Sequence, residues 1–207
     1  MKENQLMASD TIQPVNAIKP MCDNESEAGG DDIKDPARRD YIAGRKHFSS
    51  GDYPQAVICF HNALLGFEEQ NDVQGIANAS DRLGDTCMVR EEYAMALEHY
   101  KRAEAICEQE DDSFSQVSLQ KKMAEAYVKS GEADKAFELY FDIVEHYRII
   151  NNPRGAVETL EKVAGLYEAV GESLNAADTY RTVASIHDNF GHASMAKDFI
   201  RRAEELE

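Results

Sequence analysis

The apolar and small residues between positions 41 and 207 recur with a period of 40 and without an insertion. The sixteenth position of each unit is alanine: Ala56, Ala96, Ala136 and Ala176. The twentieth position is aromatic: Phe60, Tyr100, Tyr140 and Tyr180. Together with the apolar or small twenty-third position, these residues have the spacing i, i+4, i+7, which is one face of an α-helix. Because a small residue admits a neighbouring helix and an aromatic ring fills the adjacent gap, this face is predicted to pack against another helix.

Helix breaks fall at fixed positions in the unit. Gly51, Gly131 and Gly171 occupy the eleventh position, where the end of a helix favours the left-handed conformation that glycine adopts easily. Asp52 is predicted to cap the next helix, and the NNPR run at 151–154 again supplies a cap followed by proline. Each unit is therefore predicted to be a helix A, a tight turn, a helix B and a short loop.

The period defines four predicted units, at 41–80, 81–120, 121–160 and 161–200. One helix pair cannot bury its apolar face alone, so the stacked pairs are expected to share a continuous core in a single domain, 36–207. A further helix is predicted at about 193–207. Its outward side is charged, as the end of a repeat array requires, so it is interpreted as a capping helix. The alternative is that the chain was cut from a longer array.

The first 35 residues differ from the repeat. All 9 Tyr and 8 Phe lie at or after Tyr41, and residues 21–32 are polar, acidic and glycine-containing. Such a segment buries too little apolar surface to offset its ordering entropy, so 1–35 is predicted to be a disordered acidic tail. Two interpretations remain open. The tail has no role, or its apolar patch at 15–21 docks on a partner or folds back on the domain.

The repeat resembles the tetratricopeptide repeat (TPR), whose signature is W-x2-L-G-x2-Y followed by Ala, Phe and Ala. The second unit carries the matching residues Leu83, Gly84, Cys87, Ala96, Tyr100 and Ala103. The opening Trp and the closing Pro are absent, and the period is 40 rather than 34. The longer period is similar to that of kinesin light chains, cell-polarity adaptors and bacterial peptide-sensing regulators. The resemblance implies an all-α, right-handed α-solenoid of four TPR-like helix pairs plus the capping helix.

TPR arrays bind partners in a concave groove lined by the A helices. The resemblance implies the following partner-binding residues: Arg45, Phe48, Asn78, Asp81, Asp85, Met88, Lys121, Glu125, Lys129, Glu158, Glu161 and Glu168. A carboxylate clamp for chaperone tails is not expected, because the clamp's Lys and Asn positions hold Tyr41 and Arg45.

The predicted groove is acidic in units two and four, with Lys121 and Lys129 between them and Phe48 and Met88 as apolar contacts. This mixture favours a protein or peptide with basic residues flanking apolar anchors. The alternative, that the acidic residues only solvate the groove, stays open.

Composition restricts the function classes. The chain has 22 Lys and Arg against 39 Asp and Glu, a net charge of −17, which excludes a nucleic-acid partner because phosphates require a basic face. No run approaches the roughly 18 apolar residues of a membrane span, and no secretory signal is visible. A cytoplasmic, acidic protein without membrane insertion is predicted. Its four cysteines, Cys22, Cys59, Cys87 and Cys107, are expected to be reduced thiols, and two disulfides are the alternative.

No catalytic, cofactor-binding or metal site is predicted. The chain lacks G-x-S-x-G, a phosphate-binding glycine-rich loop and H-E-x-x-H. His187 and His192 are five residues apart around Gly191, whereas a metal pair on one helix face needs a spacing of four. The run EQEDDSFSQ lacks the alternating ligands and glycine of a calcium loop.

These patterns predict a non-catalytic adaptor or scaffold that binds a protein segment in its groove. Two other hypotheses stay open. The first is a self-assembling scaffold that forms a homo-oligomer through the array ends or the tail, because solenoid ends favour heterologous contacts. The second is a regulatory subunit of a partner enzyme.

Overall fold

The computed structural model describes residues 34–207, which form nine α-helices and no strand. The helices are α1 (Pro36–Ser49), α2 (Tyr53–Gln70), α3 (Val73–Val89), α4 (Tyr93–Gln109), α5 (Ser113–Ser130), α6 (Ala133–Ile149), α7 (Pro153–Ala169), α8 (Ser173–Asn189) and α9 (Ala193–Glu204). Each helix packs mainly against the one before it and the one after it, and the predicted A helices are α1, α3, α5 and α7, while the B helices are α2, α4, α6 and α8. The predicted all-α solenoid is confirmed.

Local capping explains where the helices begin. The carboxylates of Asp35, Asp52, Asp72 and Asp112 and the amide oxygen of Asn152 each accept a hydrogen bond from a backbone N–H in the first turn. These bonds satisfy donors that the helix itself leaves unpaired. Pro36, Pro54 and Pro153 lie in the first turns, where no N–H is needed.

One left-handed residue lies in each of the eight turns between α1 and α9. Gly51, Gly131 and Gly171 have φ near +80°, as predicted from their position in the repeat. Glu91 has the same role in the second unit, with φ +61°, although it has a side chain. The turns that follow the B helices form a second series: Asn71, Asp111, Asn151 and Gly191. The two series alternate, so one left-handed residue follows another every 20 residues and each helix from α1 to α8 ends in the same kind of turn.

The core is built from the repeated small and aromatic residues. The four alanines at the sixteenth position are fully buried. The aromatic residue at the twentieth position packs on the fourth position of the same unit, and this contact requires glycine in two units. A Cβ on Gly84 would lie 2.4 Å from the Tyr100 ring, and one on Gly44 would lie 2.7 Å from the Phe60 ring. Close packing of this kind sets the spacing between helix A and helix B.

The predicted disordered tail, 1–35, lies outside the described residues except for Lys34 and Asp35. Asp35 caps α1. The apolar patch at 15–21, for which docking on a partner or on the domain is one interpretation, also lies outside them.

None of the helices within 34–207 has the length and apolar character needed to cross a lipid bilayer. Cys59, Cys87 and Cys107 are not bonded to one another.

Candidate protein-binding groove

Two cavities meet on the face of the solenoid that the A helices line. The larger, of about 570 Å³, lies between α5 and α7. The smaller, of about 350 Å³, lies between α1, α3 and α5. Both are lined by Lys122, Glu125 and Lys129, so they form one continuous surface from Phe48 on α1 to Ala169 on α7. We call these two joined cavities the groove.

A buried cluster of charges lies beside the smaller cavity. Asp81 is only 4% exposed, and its carboxylate lies 2.5 Å from Lys122 Nζ. Asp85 lies 2.8 Å from the same Nζ and 3.0 Å from a guanidinium nitrogen of Arg82. Burial, followed by the nearby Asp85 carboxylate, raises the pKa of Asp81, and Lys122 and Arg82 oppose this rise. The two cations therefore neutralise both acids within the fold.

A tyrosine completes this cluster. The Tyr100 hydroxyl donates a 2.9 Å hydrogen bond to Asp85 Oδ1, and Lys122 Nζ lies 5.5 Å from the centre of the Tyr100 ring. Burial and Asp85 raise the pKa of Tyr100. One lysine of α5 thus contacts an acid of α3 and an aromatic ring of α4, which ties together three successive helices.

The same arrangement recurs at the C-terminal end. The Tyr180 hydroxyl donates a hydrogen bond to Glu168, and Arg202 forms a 2.9 Å ion pair with that carboxylate. The Arg202 guanidinium lies 4.4 Å from the centre of the Tyr180 ring. Burial and the hydrogen bond to Glu168 raise the pKa of Tyr180. Glu168, which was predicted to face a partner, is therefore paired within the chain.

The charged side chains that line the larger cavity are paired differently from those of the buried cluster. Its lining contains four lysines, Lys121, Lys122, Lys129 and Lys162, and three glutamates, Glu125, Glu158 and Glu161. Of these lysines only Lys122 forms an ion pair with a carboxylate of the described residues. Lys121 instead lies 4.9 Å from the centre of the Tyr147 ring. Tyr140, the counterpart of Tyr100 in the third unit, lines this cavity and donates no hydrogen bond to a side chain within 34–207.

The structure brings eight of the twelve predicted partner-binding residues to the groove. These are Phe48, Asp85, Met88, Lys121, Glu125, Lys129, Glu158 and Glu161. Arg45 is exposed on α1 but does not line either cavity. Asn78 and Asp81 are buried in α3, and the Nδ2 atom of Asn78 has no hydrogen-bond partner among the described residues. Glu158 forms a 2.9 Å ion pair with Arg154.

Sequence reasoning missed the cations that neutralise or line the groove. They occupy the second position of successive units: Arg82, Lys122, Lys162 and Arg202. Their 40-residue spacing was a visible signal. The TPR groove positions fall elsewhere in the unit, so the resemblance does not indicate this series. The predicted acidic character of the second unit is consequently offset by Arg82 and Lys122.

Within the described part of the chain, no group of three or more His, Cys, Asp or Glu side chains is arranged to hold a metal ion. His187 and His192 do approach each other, with 3.4 Å between their Nδ1 atoms. His187 is buried and stacks on Phe199, which gives it a packing role at the junction of α8 and α9.

The stacked helix pairs and the groove lined by their A helices define a TPR-type repeat protein. Residues 29–153 match the family model for the soluble NSF attachment protein, SNAP. This match spans more than half of the 207 residues. The chain therefore belongs to the SNAP family of TPR-like helical-repeat proteins. No match was found among curated protein sequences.

Solved structures show the same fold at low sequence identity. The apo form of RapI has a TM-score of 0.71 and 15% identity, over 82% of this chain and 48% of RapI. BtubC from P. vanneervenii has a TM-score of 0.58 and 13% identity, over 82% of this chain and 78% of BtubC. A Rap protein complexed with Competence and Sporulation Factor has a TM-score of 0.56 and 15% identity, over 83% of this chain and 52% of the Rap protein. The match thus spans about half the length of each Rap protein.

Proposed function

We propose that this chain is a non-catalytic adaptor that binds a segment of a partner protein in the groove. The observation that carries the proposal is the continuity of the two cavities, which share Lys122, Glu125 and Lys129 and extend over four A helices. An extended or helical segment needs such a long surface, whereas a small substrate needs one enclosed pocket. The similar Rap structure in complex with Competence and Sporulation Factor supports a binding role for this fold.

The chemistry of the partner follows from the groups that the fold leaves unpaired. Glu125 and Glu161 line the groove and form no ion pair with a described residue, so they remain available to basic residues of a partner. Phe48, Met88 and Val128 supply apolar contacts. The proposed partner is therefore a protein segment in which basic residues flank apolar anchors. Its basic residues pair with Glu125 and Glu161 rather than with the neutralised Asp81 and Asp85.

The test compares charge reversals inside and outside the groove. Glu125→Arg/Glu161→Arg reverses two groove charges, and Glu98→Arg/Glu138→Arg makes the same change at exposed positions of α4 and α6. Proteins recovered with wild type from a lysate of the source cells are identified, and the binding of each is measured with purified components. The proposal expects at least tenfold weaker binding for the groove variant and unchanged binding for its control. Equal binding by both variants contradicts the proposal.

Self-assembly through the C-terminal end is less well supported. On α9, Lys197 and Glu204 are exposed at the repeat positions where α7 buries Val157 and Ala164. A further helix packed on this end would bury both charges, which is costly. Light scattering over a range of concentrations tests this alternative, because end-to-end assembly requires a mass that increases with concentration.

The third hypothesis, regulation of a partner enzyme, uses the same groove and differs only in what is bound. An activity carried by a captured partner, and changed by wild type but not by Glu125→Arg/Glu161→Arg, would support it. The cytoplasmic location stays a prediction from the sequence.

A further inference from the structure

An exposed stripe that contains two large apolar side chains runs along the outer face of α2. Ile58 and Leu65 are 51% and 46% exposed, and with the exposed Asn62 and Glu69 they have the spacing i, i+4, i+7, i+11 of one helix face. We call these four residues the α2 stripe. Two exposed branched aliphatic side chains on one face form an apolar surface that water covers at a cost in free energy.

The other B helices do not share this surface. At the position of Ile58, α4, α6 and α8 carry Glu98, Glu138 and Asp178. At the position of Leu65 they carry Ala105, Glu145 and Ser185. The repeat itself therefore does not require apolar residues here, because three of the four B helices fold with charged or small ones. The stripe is a property of the first unit, beside the N-terminal part of the chain.

The chain enters α1 close to the α2 stripe. Gln70 Nε2, near the end of α2, donates a 2.8 Å hydrogen bond to Asp35 Oδ1. Ala37 packs so closely on Gly66 that a Cβ there would lie 2.7 Å from the Ala37 Cβ. Gly66 is next to Leu65 and eight residues from Ile58, which is about 12 Å along the helix axis. Residues that precede Lys34 therefore start within reach of the stripe.

The sequence before Lys34 contains a segment of matching chemistry. Residues 11–22 contain no Asp or Glu, in contrast to the acidic residues 23–32 that follow. Val15, Ile18 and Met21 recur every third position and Lys19 is the only charge, which complements Glu69 at the end of the stripe. The 13 residues 22–34 span at most about 45 Å when fully extended, several times the distance required.

From these observations we infer that residues 15–21 dock in the same chain on the α2 stripe, with their apolar side chains on Ile58 and Leu65. A tethered segment has an effective concentration on the order of millimolar at its site, so a contact too weak to hold between separate molecules is populated within one chain. This site lies outside the groove, and the inference does not depend on the proposed function.

The natural cysteines provide the probe. Cys22 adjoins the proposed segment, and the half-buried Cys59 adjoins Ile58. Burial raises the pKa of Cys59, and it raises the pKa of the buried Cys87 and Cys107 further, to about 11, so these two thiols react more slowly at neutral pH than Cys59. The full chain is treated with a short bismaleimide, and the cross-linked peptides are quantified by mass spectrometry. The control is Cys59→Ser/His99→Cys, which moves the thiol to the equivalent half-buried position of α4, the next B helix.

The expected result is a Cys22–Cys59 cross-link within one chain, formed roughly tenfold faster than the cross-link between Cys22 and the α4 thiol of the control. Ile58→Glu/Leu65→Glu should reduce the wild-type rate to that of the control. Val15→Glu/Ile18→Glu, which leaves 34–207 unchanged, should do the same, so the test does not depend on the folding of the α2 variant. Equal rates for wild type and control overturn the inference, as does a cross-link found only between two chains. A faster cross-link to a cysteine placed in the groove by Val128→Cys also overturns it.

Discussion

Lys122 Nζ lies 2.5 Å from Asp81 Oδ1, which joins α5 to α3 across 41 positions of sequence. Asp81 is almost completely buried, and Lys122 also pairs with Asp85 and covers the Tyr100 ring. A carboxylate taken out of water requires a compensating charge. The ion pair therefore stabilises the first half of the solenoid, and its lysine also lines the groove.

Replacing Lys122 should destabilise the fold, whereas replacing Lys162 should not. Lys122→Ala leaves Asp81 buried with Arg82 as its one cationic partner among the described residues, and the expected loss in the free energy of unfolding is roughly 2–3 kcal/mol. Lys162 occupies the same repeat position but is exposed and forms no ion pair with a described residue, so Lys162→Ala should change it by less than about 0.5 kcal/mol. Urea unfolding of both variants measures the difference. Equal losses would show that the buried pair has no special role.

Two glycine-to-alanine substitutions should have opposite effects. In Gly84→Ala the new Cβ would lie 2.4 Å from the Tyr100 ring, so the helices must move apart, at an expected cost of about 1–3 kcal/mol. In Gly165→Ala the new Cβ, inside α7, would meet no other part of the described residues within 4 Å beyond its own helix turn, so the substitution should stabilise the protein by roughly 0.5–1 kcal/mol. Thermal unfolding followed by circular dichroism reports both signs. A destabilising Gly165→Ala would contradict the open surroundings of that position.

Glu91→Gly should stabilise the protein. Glu91 has φ +61°, a conformation that is unfavourable for a residue with a Cβ, and glycine holds the equivalent position in the other three units. The gain is expected to be about 0.5 kcal/mol, because the flexibility of glycine in the unfolded chain offsets part of it. The reverse substitution at an equivalent turn, Gly131→Ala, should lose about 1 kcal/mol. Chemical denaturation tests the pair, and a loss of stability in Glu91→Gly would refute the turn argument.

The protein should lose stability at alkaline pH in part through Cys87 and Cys107. Burial, followed by the Glu92 charge for Cys87 and the Asp112 charge for Cys107, raises the pKa of each thiol from 9.0 to about 11. Between pH 9 and 11 the unfolded chain loses these protons and the folded chain keeps them, so the free energy of unfolding decreases as the pH rises. Each thiol accounts for up to about 3 kcal/mol of this decrease.

Comparing stability at about pH 8 and about pH 11 in wild type and Cys87→Ala/Cys107→Ala measures that contribution. The variant should start less stable at the lower pH because it loses packing, and its stability should decrease less with pH. Cys59→Ala is the comparison, because burial raises the pKa of this half-buried thiol less than it raises the pKa of Cys87 and Cys107, so its pH profile should change less. Parallel pH profiles for the wild type and the double variant would argue against a thiol contribution.

Most of the fold was predictable because the determinants of the repeat are local. The alanine at the sixteenth position, the aromatic at the twentieth and the caps such as Asp52 act within one helix pair, and the pattern recurs four times. Gly51, Gly131 and Gly171 revealed one series of turns. Glu91 belongs to that series, but its residue type does not indicate a left-handed conformation. That conformation is imposed by the helices on either side of the turn.

The groove was only partly predictable, because its charge depends on contacts between units. Lys122 and Lys162 hold the same repeat position, yet one is paired and the other is open. The unit before Lys122 presents Asp81 and Asp85, whereas the equivalent positions before Lys162 hold Lys121 and Glu125. Residue type and spacing alone determined the helix pairs and the glycine-containing turns, and the TPR resemblance indicated the face on which a partner is expected. The packing of successive A helices decided which charges neutralise one another and which remain open, because ion pairing depends on side-chain distances that sequence spacing does not specify.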